Sequence, residues 1–268
     1  MRHLVAHALP GTLLFHDWTE ARALWDRLLA LGPPEALVLM PDHVHAVLAR
    51  TEPGAWGAIL SAYARWRHRR RGETGPAWRP APPPREIPDR QHLDRTIRYV
   101  LLNPCRAHLA ADPLAWPFST HRDCVGFAVP AARPVARDTA RFHAWVSADP
   151  SVAVTGTPLP AGAAAGPEAV LRAVSAVTRT PRAGLGAPGL ARDLAVRSLA
   201  DLCGLSDRAI ARQLPVSHAT VSRTPPVDGR SVALVLQVSG DPRFPALDDV
   251  DLGRVPAWRA YVRRRAAR

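Results

Sequence analysis

The stretch ALVLMPDHVHAVL, residues 36–48, places two histidines inside an otherwise apolar run. Successive side chains of a β-strand point to opposite faces, so His43 and His45 are expected side by side, with Val44 on the other face. We predict one buried strand over about residues 36–49. Neutral imidazole is a common metal ligand, which makes the pair a candidate metal site. A polar patch or two hydrogen-bonded core histidines would leave the same pattern.

The segments around this strand predict an α+β domain. Residues 3–16 predict a strand or hairpin, and apolar residues spaced three and four apart predict helices over about 17–32 and 56–71. Asp89 is expected to cap a third helix, which Pro104 ends. The apolar stripe of this helix is expected to comprise Leu93, Ile97, Val100 and Leu101. The intervening WRPAPPPREIPD has too many prolines for a central strand. Helices packed on a mostly antiparallel sheet are the expected architecture.

The chain is strongly basic. Its 268 residues include 35 basic and 23 acidic side chains, which give a formal net charge of +12, and every basic residue in that count is arginine. A GC-rich genome explains arginine in place of lysine, but it does not explain the basic excess. The excess favours a polyanionic partner, most simply nucleic acid, and an acidic membrane surface is the competing interpretation.

The remaining composition argues for a cytoplasmic protein. The 3 cysteines form no C-x-x-C pair, so neither a disulfide framework nor a zinc–thiolate site is expected. The N-terminal segment is interrupted by His3, His7 and Pro10, which makes it a poor signal peptide. No apolar run approaches the ~20 residues of a membrane span. We expect a cytoplasmic, nucleoid-associated protein with no membrane partner.

Tyr99 is the candidate nucleophile. Arg95 and Asn103 lie four residues before and after it, on one face of the predicted third helix. A tyrosine among arginines near two histidines suits phosphoryl transfer, in which a phenolate attacks phosphorus and guanidinium groups offset the developing charge. A half-buried aromatic that anchors the helix is the other interpretation. No further His or Asp stands at a convincing ligand spacing, which argues against a zinc hydrolase.

Two motifs together resemble the single-tyrosine HUH transposases, most closely the REP-associated branch. LMPDHVH resembles that branch's Met-Pro-Asn-His-Val-His strand, with Asp42 where Asn is usual. The segment Tyr99–Ala107 matches Tyr-x-x-x-Asn-Pro-x-Arg-Ala, and residues 116–119 match a Trp-Pro-x-Ser block. The resemblance covers about residues 3–127. The family's early Arg-Gly-Asn turn and its Gly-Arg-Phe strand are missing, and HALPG and RPAPPP stand in their places.

The resemblance implies a ferredoxin-like HUH domain over residues 1–128 that cleaves and rejoins single-stranded or hairpin DNA. By analogy with the family, His43, His45 and Asn103 would hold Mg²⁺ or Mn²⁺. Tyr99 would form a 5′-phosphotyrosine and release a 3′-hydroxyl, so rejoining would need no nucleotide cofactor. The missing elements favour the alternative, a non-catalytic, transposase-derived protein that binds specific DNA sequences.

The C-terminal half predicts a second DNA-binding element. Residues 129–165 are rich in Pro, Ala and Gly and predict a linker with one possible short helix at about 137–146. Within a helical domain over 166–268, residues 192–223 resemble a DnaA-type helix-turn-helix. Asp207–Leu214 would be its supporting helix, and Ser217 would cap a recognition helix that reads duplex DNA. A plain helical bundle is the other interpretation.

Candidate DNA-contacting residues lie on the second and third predicted helices, in the segment that follows Tyr99, and on the predicted recognition helix. Trp66 between arginines is typical of a nucleic-acid surface, although a solvated charged face has the same composition. The basic end WRAYVRRRAAR is a further candidate, as an arm that contacts phosphates. The candidate residues are Arg65, Arg67, Arg69, Arg70, Arg71, Arg95, Arg106, Ser217, His218, Thr220 and Arg223.

Overall fold

A small antiparallel sheet carries the paired histidines. The computed structural model describes residues 1–49, 52, 54–154, 166–241, 243–244 and 261–263. The strands are β1 (Arg2–His7), β2 (Ala36–Leu39), β3 (His43–Leu48) and β4 (Arg85–Glu86). They lie in the order β2-β3-β1-β4, and each neighbouring pair is antiparallel. With the helices described below, this is the expected α+β class with an antiparallel sheet.

The prediction of one strand over 36–49 is wrong, because the segment is a hairpin of β2 and β3. The amide of Met40 donates to the carbonyl of His43 at 2.8 Å and closes a turn over residues 40–43. Pro41 occupies the second position of this turn, where the fixed φ of proline is favourable. His43 is therefore the first residue of β3, and the side chain of Asp42 lies beside it.

The register of β1 against β3 adds two histidines to the predicted pair. His7 lies opposite His43, and Val5 lies opposite His45. Since residues two apart share a strand face, His3 and His7 lie on the same face of the sheet as His43 and His45. In the sequence, His3 and His7 stand out only as interruptions of an apolar segment, so their place on this surface was not predicted.

The chain divides into two compact units, of which the first comprises residues 1–125, 132–156 and 250–268. Part of the predicted linker, including its helix, therefore belongs to the first unit, and residues 155–165 lie outside the described residues. The helices of this unit are α1 (Trp18–Leu29), α2 (Ala55–Arg71), α3 (Arg90–Leu101), α4 (Asn103–Arg106), α5 (Thr120–Cys124) and α6 (Thr139–Ser147).

Caps and apolar faces explain where these helices form. Asp89 caps α3 as predicted, because its carboxylate accepts from the amide of His92 at 2.7 Å. The predicted apolar stripe of α3 is buried against β2 and β3. The third helix ends before Pro104, as predicted, because α3 ends at Leu101. Pro104 itself lies in the first turn of the short helix α4, where its missing amide hydrogen costs little.

The second unit, residues 126–131 and 157–249, is helical where it is described. Three of its helices, α7 (Gly166–Thr178), α8 (Leu190–Cys203) and α11 (Gly229–Ser239), contact one another, and their buried aliphatic side chains include Val174, Leu199 and Val235. None of the helices in the described ranges is long and apolar enough to cross a membrane. The unit also contains α9 (Asp207–Gln213) and α10 (His218–Ser222).

Glu20 is a fully buried carboxylate that joins α1 to the basic end of α2. It accepts from the backbone amide of His16 at 2.8 Å and pairs with the guanidinium of Arg71 at 3.2 Å. Burial alone would raise the pKa of Glu20, but the hydrogen bonds from His16 and Arg71 outweigh it and lower the pKa from 4.5 to about 2. The ionised carboxylate is therefore the form that stabilises this junction.

We predict that Glu20→Gln lowers the free energy of unfolding by about 1–3 kcal/mol at neutral pH, because it removes the buried one of the two carboxylates that pair with Arg71. The folded pKa of Glu20 lies below its ordinary value of 4.5, so the stabilisation is complete above pH 4.5 and is lost as the pH falls towards 2. Urea unfolding of both proteins over this range measures it. A stability difference that does not shrink on acidification would contradict the assignment.

Candidate active site

One cleft of the first unit, with a volume of about 1250 Å³, brings the predicted metal ligands and nucleophile together. The histidine face of β1 and β3 forms one side, and residues of α3 and α4 form another. The side chains with metal-binding or nucleophilic groups that line it include His3, His7, His43, His45, Tyr99 and Asn103.

The four sheet histidines stack in two pairs across the strands. The rings of His43 and His45 lie 4.9 Å apart at 88°, which confirms that they share one face. His7 stacks on His43 with ring centroids 5.3 Å apart, and His3 stacks on His45 at 5.1 Å. Each candidate ligand on β3 therefore has an imidazole neighbour from β1.

The Nδ1 atoms of both candidate ligands are engaged. His43 Nδ1 lies 2.6 Å from Asp42 Oδ1, and His45 Nδ1 lies 3.0 Å from His3 Nε2. Burial, together with repulsion from Arg85 and then His92, lowers the pKa of His3 to about 4, so His3 is neutral at neutral pH and can accept a hydrogen bond. A metal ion would then be bound through Nε2 of each ring.

Tyr99 lies on α3 beside this histidine face with 42% of its surface exposed. Its ring stands edge-on to that of His45, with centroids 5.6 Å apart. The guanidinium of Arg106 lies 5.4 Å from the centre of the Tyr99 ring and is held by Asp149 at 2.6 Å and by Ser151 at 3.0 Å. These contacts hold the guanidinium of Arg106 against the ring of Tyr99.

Asn103 begins α4 and is 8% exposed. Its Nδ2 has no hydrogen-bond partner among the described residues. Rotation of the amide exchanges its nitrogen and oxygen, so an oxygen donor can occupy that position. Two imidazole nitrogens and an amide oxygen are a donor set that Mn²⁺ accepts readily and Mg²⁺ less readily. The predicted ligands therefore fit a divalent ion.

The described residues contain no other arrangement that suits a metal. Within them, no group of three or more His, Cys, Asp or Glu residues is placed to hold an ion. The four histidines of the sheet face therefore do not form such a cage by themselves. An ion at His43 and His45 would need the amide of Asn103, or oxygens from a substrate, to complete its coordination.

Besides Arg106, three further arginines border the cleft, and two of these three were not predicted. Arg95 was predicted and is exposed at the cleft. Arg79 and Arg85 belong to the proline-rich segment; the amide of Arg79 donates to the carbonyl of His7 at 2.9 Å, and Arg85 pairs with His3 between β4 and β1. Within the described ranges, none of the three has an ion-pair partner. In the sequence, the prolines of this segment indicated only a disrupted strand. Arg79 and Arg85 were therefore not predicted as residues of the site.

The basic end of α2 is partly a structural element. Three of its arginines pair with carboxylates: Arg67, Arg70 and Arg71. Their partners are Asp17, Glu20 and Glu73. Arg65 and Arg69 are exposed and have no ion-pair partner in the part of the chain that is described. Of the predicted DNA contacts on α2, Arg65 and Arg69 are therefore the two whose guanidinium groups are not paired with a carboxylate among the described residues.

The second unit contains the predicted pair of short helices. Pro215 and Val216 separate α9 from α10, and Ser217 caps α10 by accepting from the amide of Thr220 at 3.1 Å. The hydroxyls of Ser217 and Thr220 also contact each other, whereas His218 and Arg223 are exposed. Most of the basic C-terminal end lies outside the described residues.

Comparisons of this chain with protein-family models, with curated proteins and with solved structures found no match. The α+β class is compatible with many activities, so the fold alone assigns none. Function has to be argued from the chemistry of the cleft.

We predict that the protein binds Mn²⁺ and that His43→Ala weakens the affinity for Mn²⁺ at least ~10-fold. Loss of a residue that only hydrogen-bonds a metal ligand costs about 10-fold or more in metal affinity, and loss of the ligand itself should cost no less. A titration followed by electron paramagnetic resonance measures free and bound Mn²⁺. His68→Ala on α2 is the matched control and should bind as the wild type does. Equal affinities of the His43→Ala and His68→Ala proteins would exclude His43 as a ligand.

Proposed function

We propose that this protein is a single-tyrosine nuclease and strand transferase, of the HUH transposase type, that acts on single-stranded DNA. The observation that carries the proposal is the convergence of Tyr99, Asn103 and the His43–His45 pair on one cleft from separate segments of the chain. Stacked histidines alone would suit many sites. A tyrosine edge-on to one of them, beneath a guanidinium, suits attack on phosphorus.

The chemistry assigned to Tyr99 is an exchange of phosphoesters. Its phenolic oxygen loses a proton and attacks the phosphorus of a DNA phosphodiester, and the bond from phosphorus to the 3′-oxygen breaks. The departing 3′-oxygen takes up a proton and becomes a free hydroxyl. The product is a 5′-phosphotyrosine, and attack by a 3′-hydroxyl reverses the step. The number of phosphoester bonds is unchanged, so rejoining needs no nucleotide cofactor.

The other residues of the cleft orient the reactants. Arg106, anchored by Asp149, and the edge-on ring of His45 both restrain the ring of Tyr99. A divalent ion on His43, His45 and Asn103 would polarise a phosphate oxygen. The exposed guanidinium of Arg95 would offset the charge that develops on the phosphate.

Single-stranded DNA is the substrate form that fits this site best. The candidate metal ligands are 2–8% exposed, so a phosphate has to enter the cleft to reach them. A flexible, unpaired backbone can enter and align with Tyr99 for in-line attack more readily than a duplex can. The arginines at the cleft and the net charge of +12 favour a polyanion.

The second unit supports an additional role in binding duplex DNA. Its short α10, capped by Ser217 and preceded by a proline-containing turn, exposes His218 and Arg223. These side chains are of types that contact bases and phosphates in a major groove. This observation is independent of Tyr99, so it also favours the second candidate function, sequence-specific DNA binding without catalysis.

We predict that incubation with Mn²⁺ and a random pool of single-stranded oligonucleotides yields a covalent protein–DNA adduct, and that Tyr99→Phe abolishes it because the nucleophilic oxygen is lost. Denaturing electrophoresis and sequencing of the captured DNA measure the adduct. Tyr63→Phe is the matched control. Tyr63 is fully buried, its hydroxyl donates to the carbonyl of Leu14 at 2.5 Å, and burial raises its pKa far above the ordinary range.

Two results would argue against this assignment. An adduct that persists in the Tyr99→Phe protein would move the nucleophile to another residue. A wild-type protein that binds duplex DNA and forms no adduct in any metal would favour the non-catalytic alternative.

We also predict that Arg79→Gln with Arg85→Gln flattens the salt dependence of single-strand binding, because two phosphate contacts are lost. The slope of log K against log salt should fall by roughly 0.7 per contact. Fluorescence anisotropy over a salt series measures it. Arg22→Gln with Arg90→Gln removes the same charge from arginines paired with Asp26 and Asp94, and it should leave the slope unchanged. Equal slopes for both double variants would show that Arg79 and Arg85 do not contact phosphates of the bound DNA.

A further inference from the structure

Each of the two candidate ligands, His43 and His45, is hydrogen-bonded by a side chain that lies outside the His43–Val44–His45 motif. Asp42 Oδ1 lies 2.6 Å from His43 Nδ1, and His3 Nε2 lies 3.0 Å from His45 Nδ1. The two ligand rings are 2% and 5% exposed. Hydrogen bonds in such a buried position control ring orientation more strongly than they would at the surface.

These hydrogen bonds decide which ring nitrogen can bind a metal. A neutral imidazole carries one proton, and only the other nitrogen has a lone pair for a metal. An ionised carboxylate can only accept, so Asp42 requires the proton of His43 to be on Nδ1. His45 reaches the same state when its Nδ1 donates to Nε2 of His3. In both rings, Nε2 then carries the lone pair.

We propose that Asp42 and His3 are positioning residues that hold His43 and His45 in the Nδ1–H form and so direct both Nε2 atoms to a divalent cation. This inference rests on the proposed function of the cleft. It assigns roles to a residue of the turn and a residue of β1, neither of which belongs to the predicted ligand set.

The backbone around Asp42 is fixed before any substrate binds. The Asp42 carbonyl accepts from the amide of Ala8 at 2.8 Å, and the Pro41 carbonyl accepts from Leu14 at 2.7 Å. With the bond between Met40 and His43, these contacts tie the turn to the segment that follows β1. The carboxylate is thus held at its partner by the fold, and its side chain is only 12% exposed.

Aspartate adds a charge that asparagine would not supply at this position. An asparagine could still accept a hydrogen bond from His43 through its amide oxygen. A carboxylate also makes the imidazole a stronger donor to a cation and places negative charge close to the ligand pair. Asp42→Asn therefore tests the charge, whereas Asp42→Ala removes both the charge and the hydrogen bond.

The test is the affinity of the full chain for Mn²⁺ without DNA, followed by electron paramagnetic resonance. Asp42→Ala and His3→Phe should each weaken binding by about 10–100-fold, and Asp42→Asn should lie between Asp42→Ala and the wild type. His68→Phe is the matched control, since His68 lies on α2 outside this cleft, and it should bind as the wild type does. Unchanged affinity in both Asp42→Ala and His3→Phe would overturn the proposal.

A second measurement distinguishes the loss of ring positioning from a loss of stability in the variants. Long-range ¹H–¹⁵N nuclear magnetic resonance of the imidazole rings reports which nitrogen carries the proton. The wild type should show Nδ1–H for His43 and His45, and His3→Phe should shift His45 towards Nε2–H while its unfolding temperature stays close to that of the wild type. An Nε2–H form of either ring in the wild-type protein overturns the proposal even if a variant fails to fold.

The same experiments distinguish this inference from the proposed function. A wild type that binds Mn²⁺ and forms the Tyr99 adduct, with variants of unchanged affinity, rejects the positioning roles alone. A wild type that binds no Mn²⁺ and forms no adduct rejects the metal site and the proposed reaction, and the positioning proposal falls with them.

Discussion

The pairing of β1 with β3 in one register is the constraint on which the candidate site depends. Leu4 and Ala6 of β1 lie on the same sheet face as Val44 and Ala46 of β3, and all four are buried. Burial of that face fixes the register, because a shift of one residue would turn every side chain to the opposite side. The histidines on the other face are brought together as a consequence of this apolar packing.

The junction between α3 and α4 is the second determinant of the site. Leu102, with φ −90° and ψ 0°, separates the two helices and lets Asn103 begin a new turn. After this junction, the guanidinium of Arg106 lies over the ring of Tyr99. Its ion pair with Asp149 uses a segment just beyond α6, so the sequence region predicted as a linker takes part in shaping the cleft.

Local features of the sequence predicted the helices well, whereas long-range features stayed hidden. The cap at Asp89 and the apolar stripe of α3 are local, and both are present. The hairpin was missed because the strands on both sides of the turn are buried, so the turn signal of Pro41 and Asp42 was interpreted as part of one buried strand. The spacing of His3 and His7 was visible, but their place beside His43 depends on strand register, which no local pattern reveals.

The central claim is that the histidine face of the sheet and Asn103 form a cation site next to Tyr99. Anomalous diffraction from crystals soaked in Mn²⁺, recorded near the manganese absorption edge, tests it most directly. The account predicts one strong peak within coordination distance of Nε2 of His43, Nε2 of His45 and the amide of Asn103. Manganese bound elsewhere, or bound through Nδ1 of either histidine, would contradict it.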